Sequence, residues 1–280
     1  AAVPSLNLNV YSILPSINID TDRIEVVRGP GSALYGAGVD QGVVHFITKD
    51  PFSHPGTTIS IAGGERSYFG TQFRHAGVFG TGGNLGYKIT GMFASADDWE
   101  LDPNDEADAI QILQDGAARQ TDYEKLSGNL TLEYRFGDTG SFIANGGYAQ
   151  FTSTVLSGIG TLQAVDFGYT YGQLRFRMDN FFAQVYVNQN SAGDSFVYGL
   201  DLDGDGKDDI VVDKGRLYNA QAQYDFSMAN GKQQFIFGVD LELTRPDTEG
   251  TILGRNEDDD DITEYGGYIQ SLTALGHLKR

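Results

Sequence analysis

Asp22-Arg23-Ile24-Glu25-Val26-Val27-Arg28-Gly29-Pro30-Gly31-Ser32-Ala33-Leu34-Tyr35-Gly36-Ala37, followed by Gly42 to Lys49, is the stretch that decides the reading of this chain. Ile24, Val26 and Val27 make a short apolar strand. Gly29-Pro30-Gly31 then combines a fixed φ with residues free to take φ > 0, which forces a turn. Val43, Val44, Phe46 and Ile47 form the returning strand, so the unit is strand, turn, strand.

Outward from this unit, alternation predicts about ten strands after Pro51. One sets Leu126, Leu130, Leu132, Tyr134 and Phe136 against Ser127, Asn129, Thr131, Glu133 and Arg135. A second opposes Tyr218, Ala220, Ala222, Tyr224, Phe226 and Met228 to Asn219, Gln221, Gln223, Asp225 and Ser227. A third sets Phe235, Phe237, Val239, Leu241 and Leu243 against Gln234, Asp240, Glu242 and Thr244, with Ile236 an exception on the polar side. An antiparallel sheet with one face in water shows the same period. The connections separate the two cases. Short turns at 80–84, 137–140, 178–180 and 229–232 are each followed by a longer segment, at about 97–122, 152–166, 190–214 and 245–261. An up-and-down barrel gathers tight turns at one rim and long loops at the other, as outer-membrane barrels do. The short connection near Glu65-Arg66 departs from that rule.

Composition agrees. The 280 residues are 40% apolar, with 37 Gly, 15 Tyr and 17 Phe, yet no apolar run approaches the roughly 18 residues of a spanning helix. Any span is therefore made of strands, each needing only about 9–11 tilted residues. There is no cysteine, hence neither a disulfide framework nor a thiol site.

The Asp22–Ala37 run and the Gly42–Lys49 strand together resemble the end of the plug domain of TonB-dependent outer-membrane receptors, where I-E-x-[IV]-[RK]-G-P-x-S-x-x-Y-G and G-[IV]-[IV]-x-x-[IV]-T precede the barrel. Gln41 and His45 depart from that pattern. The resemblance implies an all-β fold, an antiparallel up-and-down transmembrane barrel of which this chain holds about ten strands, preceded by a plug remnant. Residues 1–50 are then the C-terminal part of the plug and 51–280 the N-terminal portion of a barrel that the family completes with 22 strands. It further implies a bacterial outer-membrane location and active uptake of a scarce nutrient such as a ferric siderophore, cobalamin or an oligosaccharide. TonB would be engaged through a segment upstream of Ala1. Carried over by motif are Glu25 and Arg28, expected to pair with charged groups of the barrel wall, and Gly29, Pro30 and Gly36, which shape the turn. Arg135, Arg175 and Arg177 are expected to face the plug.

A leader is not visible at Ala1-Ala2-Val3-Pro4, and the chain stops at Leu275-Gly276-His277-Leu278-Lys279-Arg280 without an aromatic-ended strand, so a piece of a longer protein is expected. The net charge of −19, with no basic stripe, argues against nucleic acid. Acid concentrates in two outer-rim segments, Asp97 to Asp108 and Glu257 to Asp261, which read as solvated loops that attract cations bridging to lipopolysaccharide.

Asp201-Leu202-Asp203-Gly204-Asp205-Gly206-Lys207-Asp208-Asp209 looks like the start of a calcium loop. Carboxylates of Asp201, Asp203, Asp205 and Asp209 and the carbonyl of Lys207 could converge on Ca²⁺, while Gly206 permits the turn. Position 12 is Val212, and Asp213 is one place late. The flanks Phe196-Val197-Tyr198 and Ile210-Val211-Val212 read as strands. His45, His54, His75 and His277 have no metal-ligand spacing, and neither a nucleophile elbow nor a Walker A lysine is present. The chain therefore reads as a non-enzyme. Two other classes stay open: a self-contained outer-membrane barrel enzyme and a soluble calcium-binding β adhesin.

Overall fold

A computed structural model describes residues 2–6, 8–9, 13–15, 17–29, 42–115, 119–157, 160–201, 204–206, 208–228 and 232–273. Two short strands, β1 (Ala2–Val3) and β2 (Leu8–Asn9), pair with each other, and β3 (Thr21–Arg28) pairs antiparallel with β4 (Gly42–Thr48). Ile24 lies opposite Phe46 and Val26 opposite Val44, the strand pair predicted from the motif. Gly29 takes φ +96°, in the left-handed region that glycine enters without strain. Pro30, Gly31 and Gly36 lie outside the described residues.

The wall follows: β5 (Gly56–Gly63), β6 (Phe69–Phe79), β7 (Leu85–Asp97), β8 (Asp122–Phe136), β9 (Gly140–Ser157), β10 (Gly160–Met178), β11 (Phe181–Ser191), the short β12 (Phe196–Val197), β13 (Arg216–Met228), β14 (Gln233–Arg245) and β15 (Ile262–Thr273). Each long strand pairs antiparallel with the next, in the order β5-β6-β7-β8-β9-β10-β11-β13-β14-β15, while β12 pairs β10. This is an up-and-down partial barrel, and its ten meandering strands match the number read from alternation.

Period two sorts the side chains as predicted. Leu130 (47% exposed), Tyr224 (49%) and Phe237 (36%) point outward with their neighbours in register. Rings cluster near the short-turn rim: Tyr134 stacks on Phe136, Phe136 on Phe176, and Phe226 on both Phe235 and Phe237. A band of stacked aromatics at one end of an apolar face is what a membrane interface selects. Leu130, Leu174 and Leu241 also border a shallow hollow on the outward face over the small residues Ala144, Gly172 and Ala220; it lies on the apolar side and holds no polar cluster.

Two expectations are corrected. Residues 152–166 are not a long loop. Within them Val155 pairs Leu162 and Thr154 pairs Gln163, so β9 and β10 run on together well past the length that spans a bilayer. The β-branched residues Thr152, Thr154 and Val155 support strand geometry in spite of the polarity around them. The second correction concerns residues 97–122, which carry a helix, α1 (Glu106–Asp115). Asp105 caps it, its Oδ1 accepting the N–H of Ala107 at 3.0 Å and of Asp108 at 3.2 Å. Acidic residues in its first turn suit the helix dipole.

Candidate functional site

The site is the seam where the N-terminal segment meets the polar face of the wall. Its centre is Asp20, immediately before β3. One carboxylate oxygen, Oδ1, accepts from Arg74 Nε of β6 at 2.9 Å. The other lies 2.8 Å from Lys88 Nζ of β7. All three side chains are buried, Arg74 at 3% and Lys88 at 4% exposure. Lys88 also donates to Thr48 Oγ1 (2.9 Å) and to the Lys49 carbonyl (2.8 Å), so all three ammonium protons have acceptors. The Lys49 N–H returns to the Asp20 carbonyl at 2.8 Å. One wall lysine thereby grips both ends of the β3–β4 hairpin.

Buried charges are costly to desolvate and persist where each has a close partner. Here the wall supplies two cations to one anion. The surplus positive charge is fixed by position: β6 and β7 present Arg74 and Lys88 on the same inward face.

A second contact lies nearer the short-turn rim. Arg135 of β8 donates to Asp50 and, at 2.7 Å, to Glu133, with its guanidinium 3.8 Å from the centre of the Phe52 ring. Asp50 lies between β4 and β5, and its Oδ1 accepts the N–H of Phe52 (2.8 Å) and Ser53 (2.9 Å). Partial burial pushes this carboxyl up. The Ser53 N–H, the Arg135 charge and the Phe52 N–H outweigh that and hold it below the usual carboxylate range.

Further along the segment the contacts are hydrogen bonds and apolar packing, with no ion pair among those to the described residues. Asn129 Nδ2 donates to the Pro15 carbonyl at 2.6 Å, and the Ile19 N–H donates to Gln72 Oε1 at 3.3 Å. Val3 and Ile13 are buried against Phe151, Ala164, Phe167, Tyr169 and Ala192 in the half of the wall nearer the long loops. Ser5 Oγ donates to Asp213 Oδ1 at 2.7 Å. Between segment and wall lies a chamber of about 490 Å³, which Asp20, Thr48, Lys88, Tyr171 and Arg175 help to line. Tyr171 bridges Asn129 and Asn145 beside it.

Of the motif residues, Glu25 accepts from Arg23 Nε of its own strand at 2.8 Å, and Arg28 is exposed on β3. The ion pairs that reach the wall come instead from Asp20 and Asp50, which flank the hairpin. Of the three arginines expected to face the segment, Arg135 contacts it, Arg175 lines the chamber, and Arg177 is exposed. Asp20, Asp50, Arg74 and Lys88 were not singled out from sequence. The available signal was a basic residue on the polar face of each of two consecutive strands.

In the calcium-like loop, Asp203 and Lys207 lie outside the described residues. Asp201 turns both oxygens onto its own loop, Oδ1 accepting the Gly204 N–H at 2.6 Å and Oδ2 the Gly206 N–H at 2.9 Å. The Asp209 N–H donates to the Leu200 carbonyl at 2.8 Å. Asp213 is turned away from the loop toward Ser5. Among the described residues, no group of three or more His, Cys, Asp or Glu is placed to hold a metal ion.

No protein-family model matches the chain. Over 80 residues it is 34% identical to the vitamin B12 transporter BtuB of Vibrio vulnificus, a match covering 29% of this chain and 13% of that protein. Over 92 residues it is 33% identical to the ferric enterobactin receptor of Pseudomonas aeruginosa, covering 31% and 12%. Among solved structures, the FrpB iron transporter of Neisseria meningitidis superposes with a TM-score of 0.65 at 14% identity, over 92% of this chain and 45% of that one. The ferric enterobactin receptor PfeA of P. aeruginosa superposes with 0.59 at 16% identity, over 81% and 36%. These proteins are TonB-dependent outer-membrane receptors, and the chain resembles them both in sequence and in fold. Its location is the outer membrane. The chain spans less than half of each of these two solved structures.

Proposed function

We propose that this chain is part of a receptor for active uptake of a scarce nutrient, a ferric siderophore, cobalamin or an oligosaccharide, in which residues 1–50 end a plug and residues 51–280 begin the barrel that encloses it. The observation that carries the reading is the Asp20–Arg74–Lys88 cluster. A stopper must be fixed to its channel without filling it permanently, and a buried ion cluster at its base, with one half-exposed ion pair beside it, holds it while the contacts further along are hydrogen bonds and apolar packing. The outer loops would meet the nutrient and lipopolysaccharide. The inner-membrane TonB complex would pull on chain upstream of Ala1 and shift the plug, with no covalent chemistry. The ranges of relatives' cargoes, vitamin B12 and ferric enterobactin by their names, set the classes to try.

The test is uptake by cells expressing the gene's full reading frame, presented with labelled ferric siderophores, cobalamin and oligosaccharides, before and after collapse of the proton-motive force. Accumulation of one class that stops on de-energisation is expected. If the protein is correctly inserted and no class accumulates in energised cells, the reading is wrong.

A further inference from the structure

Arg175 of β10 lines the chamber between segment and wall, and the fold leaves its guanidinium uncommitted. Among the described residues its side chain forms no ion pair and no hydrogen bond, and its Nε is buried without an acceptor. A buried cationic N–H that has given up water and gained nothing in exchange is costly. Gln184, opposite Arg175 in register, turns its carbonyl oxygen to Gln173 Nε2 at 3.3 Å.

The other charges around the chamber are already spent. Asp20 gives one oxygen to Arg74 and the other to Lys88, and the remaining Lys88 protons go to Thr48 and Lys49. Glu133 is the carboxylate whose charge reaches Arg175, but it is 8% exposed and its Oε1 is held by Arg135 at 2.7 Å. Of the charged groups lining the chamber, Lys88 and Arg175 outnumber Asp20, so a surplus positive charge stands inside a chain whose net charge is −19. Neutral donors lie beside it. Asn145 of β9 spends its Oδ1 on the Tyr171 hydroxyl at 2.8 Å, which leaves its amide nitrogen to donate, and Thr131 of β8 is its partner in register. Leu14, Ile17, Phe46 and Ile47 give the segment side of the chamber an apolar surface.

We propose that this chamber is a binding site for a small organic anion, whose carboxylate or phosphate group is held by Arg175 with the Asn145 amide and the Thr131 hydroxyl as further donors. The planar guanidinium fork matches two oxygens of such a group, and an occupant gives the buried Nε its missing acceptor. About 490 Å³ is within the range of small-molecule pockets, and the apolar segment side suits an anion with a hydrocarbon body over a bare inorganic ion. The site stands apart from the uptake reading, because it needs only the seam between the segment and the wall.

The test uses the product of the gene's full reading frame in detergent micelles, treated with phenylglyoxal, which modifies arginine side chains, and read residue by residue by mass spectrometry. Phenyl phosphate or benzoate, against chloride at matched ionic strength, should slow the modification of Arg175 in a saturable way. Exposed Arg177, two residues along the same strand face, should react at an unchanged rate. Slowing by phenyl phosphate alone assigns a phosphate group, and by benzoate alone a carboxylate. In calorimetry, Arg175→Gln should weaken binding of the protecting anion by about tenfold or more, the worth of one hydrogen bond to a charged group. Arg177→Gln should leave it unchanged. The wild-type protection is decisive if Arg175→Gln does not fold. An Arg175 that neither anion protects, as when a carboxylate from elsewhere in the chain already holds it, overturns the proposal. So does equal slowing of Arg177, or an unchanged affinity in Arg175→Gln.

Discussion

The two faces of the wall invert the usual arrangement of a protein. Outward, Leu130, Tyr224 and Phe237 stand exposed; inward, Arg74, Lys88 and Asp20 are buried. Neighbours on one strand thus belong to different media. In β8, Leu130 faces out while Asn129, one residue away, holds the Pro15 carbonyl. In water this would expose oil and desolvate charge at once. It is stable when hydrocarbon lies outside and a polar segment inside, because each face then meets a partner of its own kind.

The largest expected effect is on the inward face. Asp20→Ala leaves Arg74 and Lys88 buried together without their anion, and should cost about 3–5 kcal/mol in urea unfolding of the lipid-reconstituted chain. A loss below about 1 kcal/mol, the worth of an exposed pair, would mean that the cluster does not anchor the segment. On the outward face, Leu130→Arg should cost about 2–4 kcal/mol by the same measurement in bilayers. An unchanged midpoint would put water, not lipid, against that strand.

Ile13→Ala removes a fully buried side chain from the apolar part of the seam and should cost about 2 kcal/mol, read as faster proteolysis of residues 1–20 while β3 remains protected. If cleavage spread equally through β3 and β4, the segment would be held as a single unit and the contrast between its ionic base and apolar upper part would fail. The smallest effect belongs to Asp50, whose pair with Arg135 is half-exposed and worth less than about 1 kcal/mol. Its folded pKa lies below the ordinary 3.8, so its contribution is present above that value and is lost as pH falls through the folded one. Asp50→Asn should flatten this acid limb of the stability curve; a limb unchanged in the variant would assign it elsewhere.

Much of the wall was legible because a strand between two media writes its environment with period two. β8, β13 and β14 carry that pattern, and the spacing of tight turns gave the polarity of the rims. Gly29 at positive φ follows from the turn chemistry of Gly29-Pro30-Gly31. The β9–β10 extension was not legible, because Thr152-Ser153-Thr154 are polar and read as loop although the two threonines are good strand formers. Helix α1 had a signal in Asp105 and the acids of its first turn, masked by the charge run around it. The ionic seat was hidden for a deeper reason: an inward charge looks the same in sequence whether it meets water or a carboxylate. Asp20 and Arg74 lie 54 residues apart, and only folding brings them within 2.9 Å.

The most direct test of the two-media wall is nitroxide accessibility in bilayers, simplified by the absence of native cysteine. Single labels at Leu130→Cys and Phe237→Cys should collide mainly with oxygen dissolved in the hydrocarbon, and labels at Asn129→Cys and Gln221→Cys mainly with a water-soluble nickel chelate or with neither. Outward positions favouring the nickel chelate, or no alternation between residues 129 and 130, would contradict the account.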